Sequence, residues 1–258
     1  MKTSVPAVIP LRTPLYRGSR SLRIALVGVP GGGKSTLFRA VRSTSVQSAP
    51  LAGTRRAYEE CAVQIGLEEA RLIDLPSVRT LRSLELEDRA ALKYLLWGDR
   101  PAPVSRHDPE GPPAPFAPPD VILQIVDATA LERHLELALE LMAISRPMVI
   151  ALNKMDEARD KGLYISSKAL ARRLGVPVVP TAVLRGHGIA QLFRAALDAV
   201  HKGVCPLPLP PSEHICANLR PFAAALRSAD IQGAFRVPLH FLVMQLAQGD
   251  RYFADELR

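Results

Sequence analysis

The chain has 258 residues, 48% of them hydrophobic and 22% charged, with a formal net charge of +8. This composition excludes a disordered or fibrous chain and allows one sizeable core plus a small second unit. The best apolar stretch, residues 135–150, is broken by Glu136, Glu140 and Arg146, so no transmembrane segment is expected; the basic residues are scattered without interleaved aromatics, so no nucleic-acid partner is expected.

Residues 1–21 read as a loose N-terminal tail, with prolines and arginines but no apolar segment of a secretory signal. Arg23-Ile24-Ala25-Leu26-Val27 reads as a buried strand, and residues 34–43 as a helix. Between them Gly28-Val29-Pro30-Gly31-Gly32-Gly33-Lys34-Ser35 fits the phosphate-binding spacing G-x-x-x-x-G-K-[ST]. Glycines at 28, 31, 32 and 33 let successive N–H groups curl around phosphate oxygens, and the helix N-terminus adds partial positive charge. Lys34 is placed to reach the β- and γ-phosphates and Ser35 to offer its hydroxyl to Mg²⁺, with Thr36 completing the phosphate set.

Strands follow at 57–65 and 70–74, then a helix at 85–97. Asp74 ends an apolar strand, where a carboxylate commonly holds Mg²⁺. Residues 100–120 carry eight prolines and read as an extended surface insertion. A strand at 121–126 leads to a helix at 131–145 with Leu131, Leu135, Ala138 and Met142 on one face.

After the apolar strand 147–152 comes Asn153-Lys154-Met155-Asp156, an N-K-x-D pattern at a strand's C-terminal end. The Asp156 carboxylate can accept from guanine N1–H and the N2 amine, donors that adenine lacks there. The Lys154 stem can cover the base, and Asn153 can tie this loop to the phosphate loop. A helix at 166–174 and a strand at 177–180 precede Thr181-Ala182, where the Ala182 N–H is the candidate donor to guanine O6. A helix at 188–201 closes the β/α alternation, which predicts an α/β fold with a mostly parallel sheet covered on both faces. Residues 206–211 read as a proline linker, and two helices follow, one with Pro221 as a kink and one opened by Pro238 and closed by Gly249. They are expected to dock on the first domain. Cys61, Cys205 and Cys216 make no disulfide framework, which points to a reduced setting; His201, Cys205, His214 and Cys216 match no metal template.

Several longer segments resemble the cytoplasmic G-protein region of the ferrous-iron transport protein B (FeoB) family: Ile73-Asp74-Leu75-Pro76, Lys93-Tyr94-Leu95-Leu96-Trp97-Gly98-Asp99, Val126-Asp127-Ala128-Thr129-Ala130-Leu131-Glu132-Arg133, Ala151-Leu152-Asn153-Lys154-Met155-Asp156-Glu157-Ala158 and Leu174-Gly175-Val176-Pro177-Val178-Val179-Pro180-Thr181. Leu246-Ala247-Gln248-Gly249-Asp250 is similar to part of the family's helical region. The resemblance implies a Ras-like P-loop GTPase domain over 22–203 and a helical subdomain over 212–258. It implies a slow GTP-hydrolysing switch that binds GTP or GDP with Mg²⁺, acting on a membrane iron-permease region in cis or in trans. The expected place is the cytoplasm or the cytoplasmic face of the bacterial inner membrane.

Several features depart from the family pattern: the family's switch threonine, which binds Mg²⁺, has its best candidate in Thr54, after Gly53 but beside the atypical Arg55 and Arg56, and the proline-rich insertion is not a family feature. Val29-Pro30-Gly31 stands where the family has Asn-Pro-Asn, whose second asparagine is implicated in potassium-stimulated hydrolysis. Ser77 stands where the family's glycine meets the γ-phosphate, and no water-orienting glutamine follows it. Arg79 and Arg82 read as solvated. The competing readings are a degenerate G domain that serves as a docking module without significant hydrolysis, and a GTPase acting on RNA, against which the lack of an RNA-binding module counts.

Overall fold

The computed structural model describes residues 21–42, 46–51, 57–82, 86–98, 118–207, 212–228, 237–250 and 253–254. Seven strands form one sheet in the order β2-β3-β4-β1-β5-β6-β7. They are β1 (Leu22–Gly28), β2 (Val46–Pro50), β3 (Ala57–Ile65), β4 (Glu68–Asp74), β5 (Val121–Asp127), β6 (Met148–Asn153) and β7 (Val178–Pro180). The pairs from β4 through β1, β5 and β6 to β7 are parallel, while β2–β3 and β3–β4 are antiparallel. The helices are α1 (Lys34–Val41), α2 (Leu86–Trp97), α3 (Leu131–Met142), α4 (Met155–Asp160), α5 (Ser167–Leu174), α6 (Ile189–His201), α7 (Glu213–Ser228) and α8 (Leu239–Ala247).

Side chains of β1 alternate between two cores, as the period of two requires. Ala25 and Val27 join one with residues of α2 and α3; Ile24 and Leu26 join the other with α1 and α6. Helices therefore cover both faces, and the loops at the C-terminal ends of β1, β4, β5, β6 and β7 gather along one edge. In a parallel sheet that edge is where ligands bind.

Some details differ from the sequence-based expectation. The edge strand β2 carries no apolar alternation and ends in Pro50, so periodicity does not reveal it. α4 is six residues long, and four of the six are charged. α3 stops at Met142, where Ser145 turns the chain with φ 56°. Its buried side is rotated from the expected stripe: His134, Leu137, Ala138, Leu141 and Met142 are buried, and Leu131 and Leu135 are only partly so. α7 runs through Pro221, with Leu226 buried but Ile215 and Phe222 exposed. The candidate Thr54 lies outside the described residues.

The C-terminal helices pack on the sheet's helical layer. Trp97, fully buried at the end of α2, meets the ring of Phe253 at 6.4 Å, and Phe253 meets Phe241 of α8 edge-on at 6.0 Å. No helix among the described residues is long and apolar enough to cross a membrane.

Trp97→Ala should therefore lower the unfolding free energy by about 3–5 kcal/mol, the range for deleting a fully buried aromatic. The measurement is a urea titration followed by circular dichroism. An unchanged midpoint would mean that the α2–Phe253 contact carries little of the stability.

Candidate functional site

β1 ends at Gly28 and α1 starts at Lys34, so the glycine loop spans the gap between the central strand and a helix N-terminus. Gly33 has φ +102°, and a Cβ there would collide with the Asn153 amide. Backbone and neighbour both demand glycine. Lys34 is buried, and its Nζ donates to Asp74 Oδ1 at 2.5 Å. Ser35 on α1 is exposed. Lys34, Ser35, Asp74, Arg39, Arg42 and Glu59 line one cleft of about 380 Å³.

Burial pushes the Asp74 carboxyl above its usual range, and the neighbouring Glu59 charge adds to the shift; the Lys34 ammonium only partly opposes it. Glu59 sits directly across the β3–β4 ladder from Asp74. A carboxylate so placed is under-compensated and favours an added cation. Together with the Ser35 hydroxyl it makes a hard oxygen set that suits Mg²⁺.

The chain after Asp74 is sewn down. The Leu75 N–H donates to Leu26 O at 3.3 Å, and the Val78 N–H to Gly28 O at 3.1 Å. Leu75, Val78 and Leu81 are buried. The Glu140 carboxylate of α3 then accepts from Thr80 Oγ1 at 2.8 and 3.0 Å, the Leu81 N–H at 2.5 Å and Arg82 Nε at 2.7 Å. The non-glycine residues with positive φ among those described are Ser145 and Lys154, so Ser77 keeps an ordinary backbone conformation here.

On the other side, β6 delivers Asn153 to the sheet edge. Its buried amide donates to Gly32 O at 3.0 Å, and its Oδ1 accepts from the Val183 N–H at 3.1 Å and Thr181 Oγ1 at 3.4 Å. Thr181 is held further by its N–H to Leu152 O and its carbonyl to the Met155 N–H. The Ala182 N–H donates to His187 O at 3.2 Å, closing a short bridge. Lys154 takes the left-handed conformation, φ 59°, and its Nζ donates to Asp127 Oδ2 at 2.6 Å. Asp156, in the first turn of α4, accepts from Arg185 Nε at 2.8 Å. The structure thus gathers the candidate residues 28–36, 74, 153–156 and 181–182 on one edge.

Four neighbours escaped sequence reasoning. Asp127 ends β5 beside Asn153 and caps Thr129; burial pushes its carboxyl up, but hydrogen bonds from Lys154 and Thr129 outweigh this and hold it below the usual range. The buried His134 packs under Gly32, and burial lowers its pKa, so it is neutral at pH 7. Glu140 and Arg185 complete the set. A carboxylate closing an apolar strand was the available sign for Asp127; the other three are marked by nothing in the local pattern. His201 faces Glu68 at 3.5 Å and His214 faces Asn218 at 3.2 Å; among the described residues no three metal-binding side chains gather.

Two family models match the chain: ferrous iron transport protein B over residues 116–196, and 50S ribosome-binding GTPase over residues 23–154. The chain is 31% identical over 183 residues to the Fe(2+) transporter FeoB of Escherichia coli K12, covering 69% of this chain and 21% of that protein. It is 28% identical over 233 residues to the Fe(2+) transport protein A/Fe(2+) transporter FeoB fusion protein of Porphyromonas gingivalis, covering 89% and 25%. It spans a quarter or less of the length of these relatives. Among solved structures it is similar to the cytosolic domain of L. pneumophila FeoB, at 25% identity, TM-score 0.72, covering 91% of this chain and 86% of that one. It is also similar to an S. thermophilus NFeoB mutant bound to GDP, at 26% identity, TM-score 0.73, covering 91% and 82%.

Glu140→Ala should release the segment that it holds. Amide exchange at Leu81 should quicken by about ten- to a hundredfold, the equivalent of a lost charged hydrogen bond, and at Arg82, whose N–H donates to Thr80 Oγ1, by less, with β1 amides unchanged. Unaltered exchange at both amides would show that the apolar anchors suffice.

Proposed function

This chain belongs to the FeoB family of P-loop GTPase domains, and from that premise we propose that it is a guanine-nucleotide switch controlling ferrous-iron transport. The observation that carries the reading is the Asn153 amide. It ties the glycine loop to the N-K-x-D loop and to residues 181–183. Phosphate and base determinants therefore share one site of fixed geometry, as a nucleotide requires.

In this reading the N–H groups of residues 31–36 and the Lys34 ammonium hold the phosphates. Lys34 must then leave Asp74, and the carboxylate, already under-compensated, needs another cation. Mg²⁺ held by Ser35 and Asp74 would supply it and offset the charge of the phosphate oxygens. Asp156 reads guanine, the Lys154 stem covers the base, and Asp127 keeps Lys154 oriented. Thr181 and Ala182 border the base, and Thr54 is the proposed switch ligand to the same ion. Hydrolysis is slow, because no glutamine follows Ser77 and Gly31 offers no side chain to the transition state. The domain extends over 22–203, with residues 212–258 as the helical unit. Its partner is a membrane permease region, and its place is the cytoplasmic face of the membrane.

Guanine selectivity is the direct test. Fluorescent GDP should be displaced by GTP and not by ATP, and Asp156→Asn should weaken guanine and improve xanthine binding, since the amide donates to the 2-oxo group. Equal displacement by ATP would overturn the assignment.

A second test concerns the switch. Serine at 77 keeps the N–H but penalises any state that needs positive φ by about 1–3 kcal/mol. A penalty on the GTP state alone damps the switch, because a ligand shifts an equilibrium only by its differential affinity. Ser77→Gly should raise the GTP/GDP affinity ratio by about 5- to 160-fold. Identical ratios in both proteins would make Ser77 a neutral replacement.

A further inference from the structure

The Asp156 carboxylate has a partner outside the Asn153–Asp156 motif. Arg185 Nε donates to Asp156 Oδ2 at 2.8 Å. Arg185 lies at the end of a 3-10 turn, Val183–Arg185, which begins directly after Ala182 and is closed by Gly186 at φ 71°. Its side chain is 62% exposed, that of Asp156 22%. The pair is thus a solvent-facing arm laid onto a half-buried anion. The other groups of this loop are built in more deeply: Asn153 and Thr181 are buried, and Lys154 is tied to Asp127.

We propose that Arg185 is an internal competitor for the base, a residue that sets both nucleotide affinity and the discrimination between guanine and hypoxanthine. The inference rests on the guanine-reading role of Asp156. Guanine presents two donors, N1–H and the N2 amine, and claims both carboxylate oxygens. Binding it displaces the guanidinium, and the cost of breaking an exposed ion pair is subtracted from affinity. Hypoxanthine presents N1–H alone. One carboxylate oxygen is left, and Arg185 can keep it. The arm therefore handicaps guanine more than hypoxanthine and speeds guanine nucleotide release. Because the pair is exposed, added salt weakens it and the handicap fades.

The test is titration of the full chain and its Arg185→Ala variant with GDP, inosine diphosphate and ADP, at low and at high salt. Arg185 is exposed and outside both apolar cores, so the variant keeps the fold; Arg185→Gln, which retains the side-chain length, provides a second version. GDP should bind about two- to fivefold more tightly to either variant at low salt, with a slower off-rate, and the gain should shrink at high salt. Inosine diphosphate should gain less, so the GDP/inosine diphosphate ratio rises. In an Asp156→Asn background Arg185→Ala should change nothing. Unchanged or weaker GDP binding, or equal gains for both nucleotides, would overturn the proposal while wild-type preference for GDP over ADP leaves the guanine reading standing. A wild-type chain that prefers no guanine nucleotide would bring down both.

Discussion

One buried amide holds the site together. Asn153 reaches Gly32 on one side and residues 181 and 183 on the other, all from the C-terminal end of β6. Because the peptide between Gly32 and Gly33 is trans, fixing the Gly32 carbonyl toward Asn153 turns the Gly33 N–H the opposite way, away from that side chain. Asn153 is 4% exposed, so any unmade bond of its amide would carry the full cost of desolvation. The sheet supplies the rest. Parallel neighbours bring the ends of β1, β5 and β6 into register, with Asp127 opposite Asn153.

Two lysine–carboxylate pairs flank this amide, and they differ in character. Lys154 and Asp127 form a settled pair: Thr129 adds two more hydrogen bonds, and the carboxyl is easily ionised. Lys34 and Asp74 form an unsettled one: burial and Glu59 work against the charge on Asp74. The first pair is suited to holding a shape, the second to exchanging partners. That difference separates the Lys154 side chain, held by a settled pair, from the glycine loop, whose lysine sits on an under-compensated carboxylate.

Much of the fold was legible in the residues. Six of the seven strands were expected from the sequence, and the glycine loop and Asn153–Asp156 stand out by their spacing as candidate phosphate and base segments. What stayed hidden has a common cause. β2 is held by its ladder with β3, and not by buried side chains of its own. The inward turn of His134 follows from α3 packing beneath the glycine loop, a tertiary fact that overrides the leucine stripe. Glu140 and Arg185 act on residues about 60 and 30 positions away in the chain, so no local pattern marks them. The comparisons fix the family, while the departures at Gly31 and Ser77 belong to this chain and must be read from its own atoms.

Arg146 suggests how the chain accommodates what lies between α2 and β5. Its guanidinium donates to the carbonyls of Leu95 and Leu96, both at 2.9 Å, and reaches the carbonyl of Pro119 at 3.5 Å. One cation thus clamps the point where the chain leaves α2 and the point where it returns to the sheet. Once two such points are fixed, the entropy of joining them grows only with the logarithm of the contour length, about 0.6 kcal/mol for each doubling. By this measure a clamp of this kind limits how far the stability of the domain depends on the length of the span that it closes.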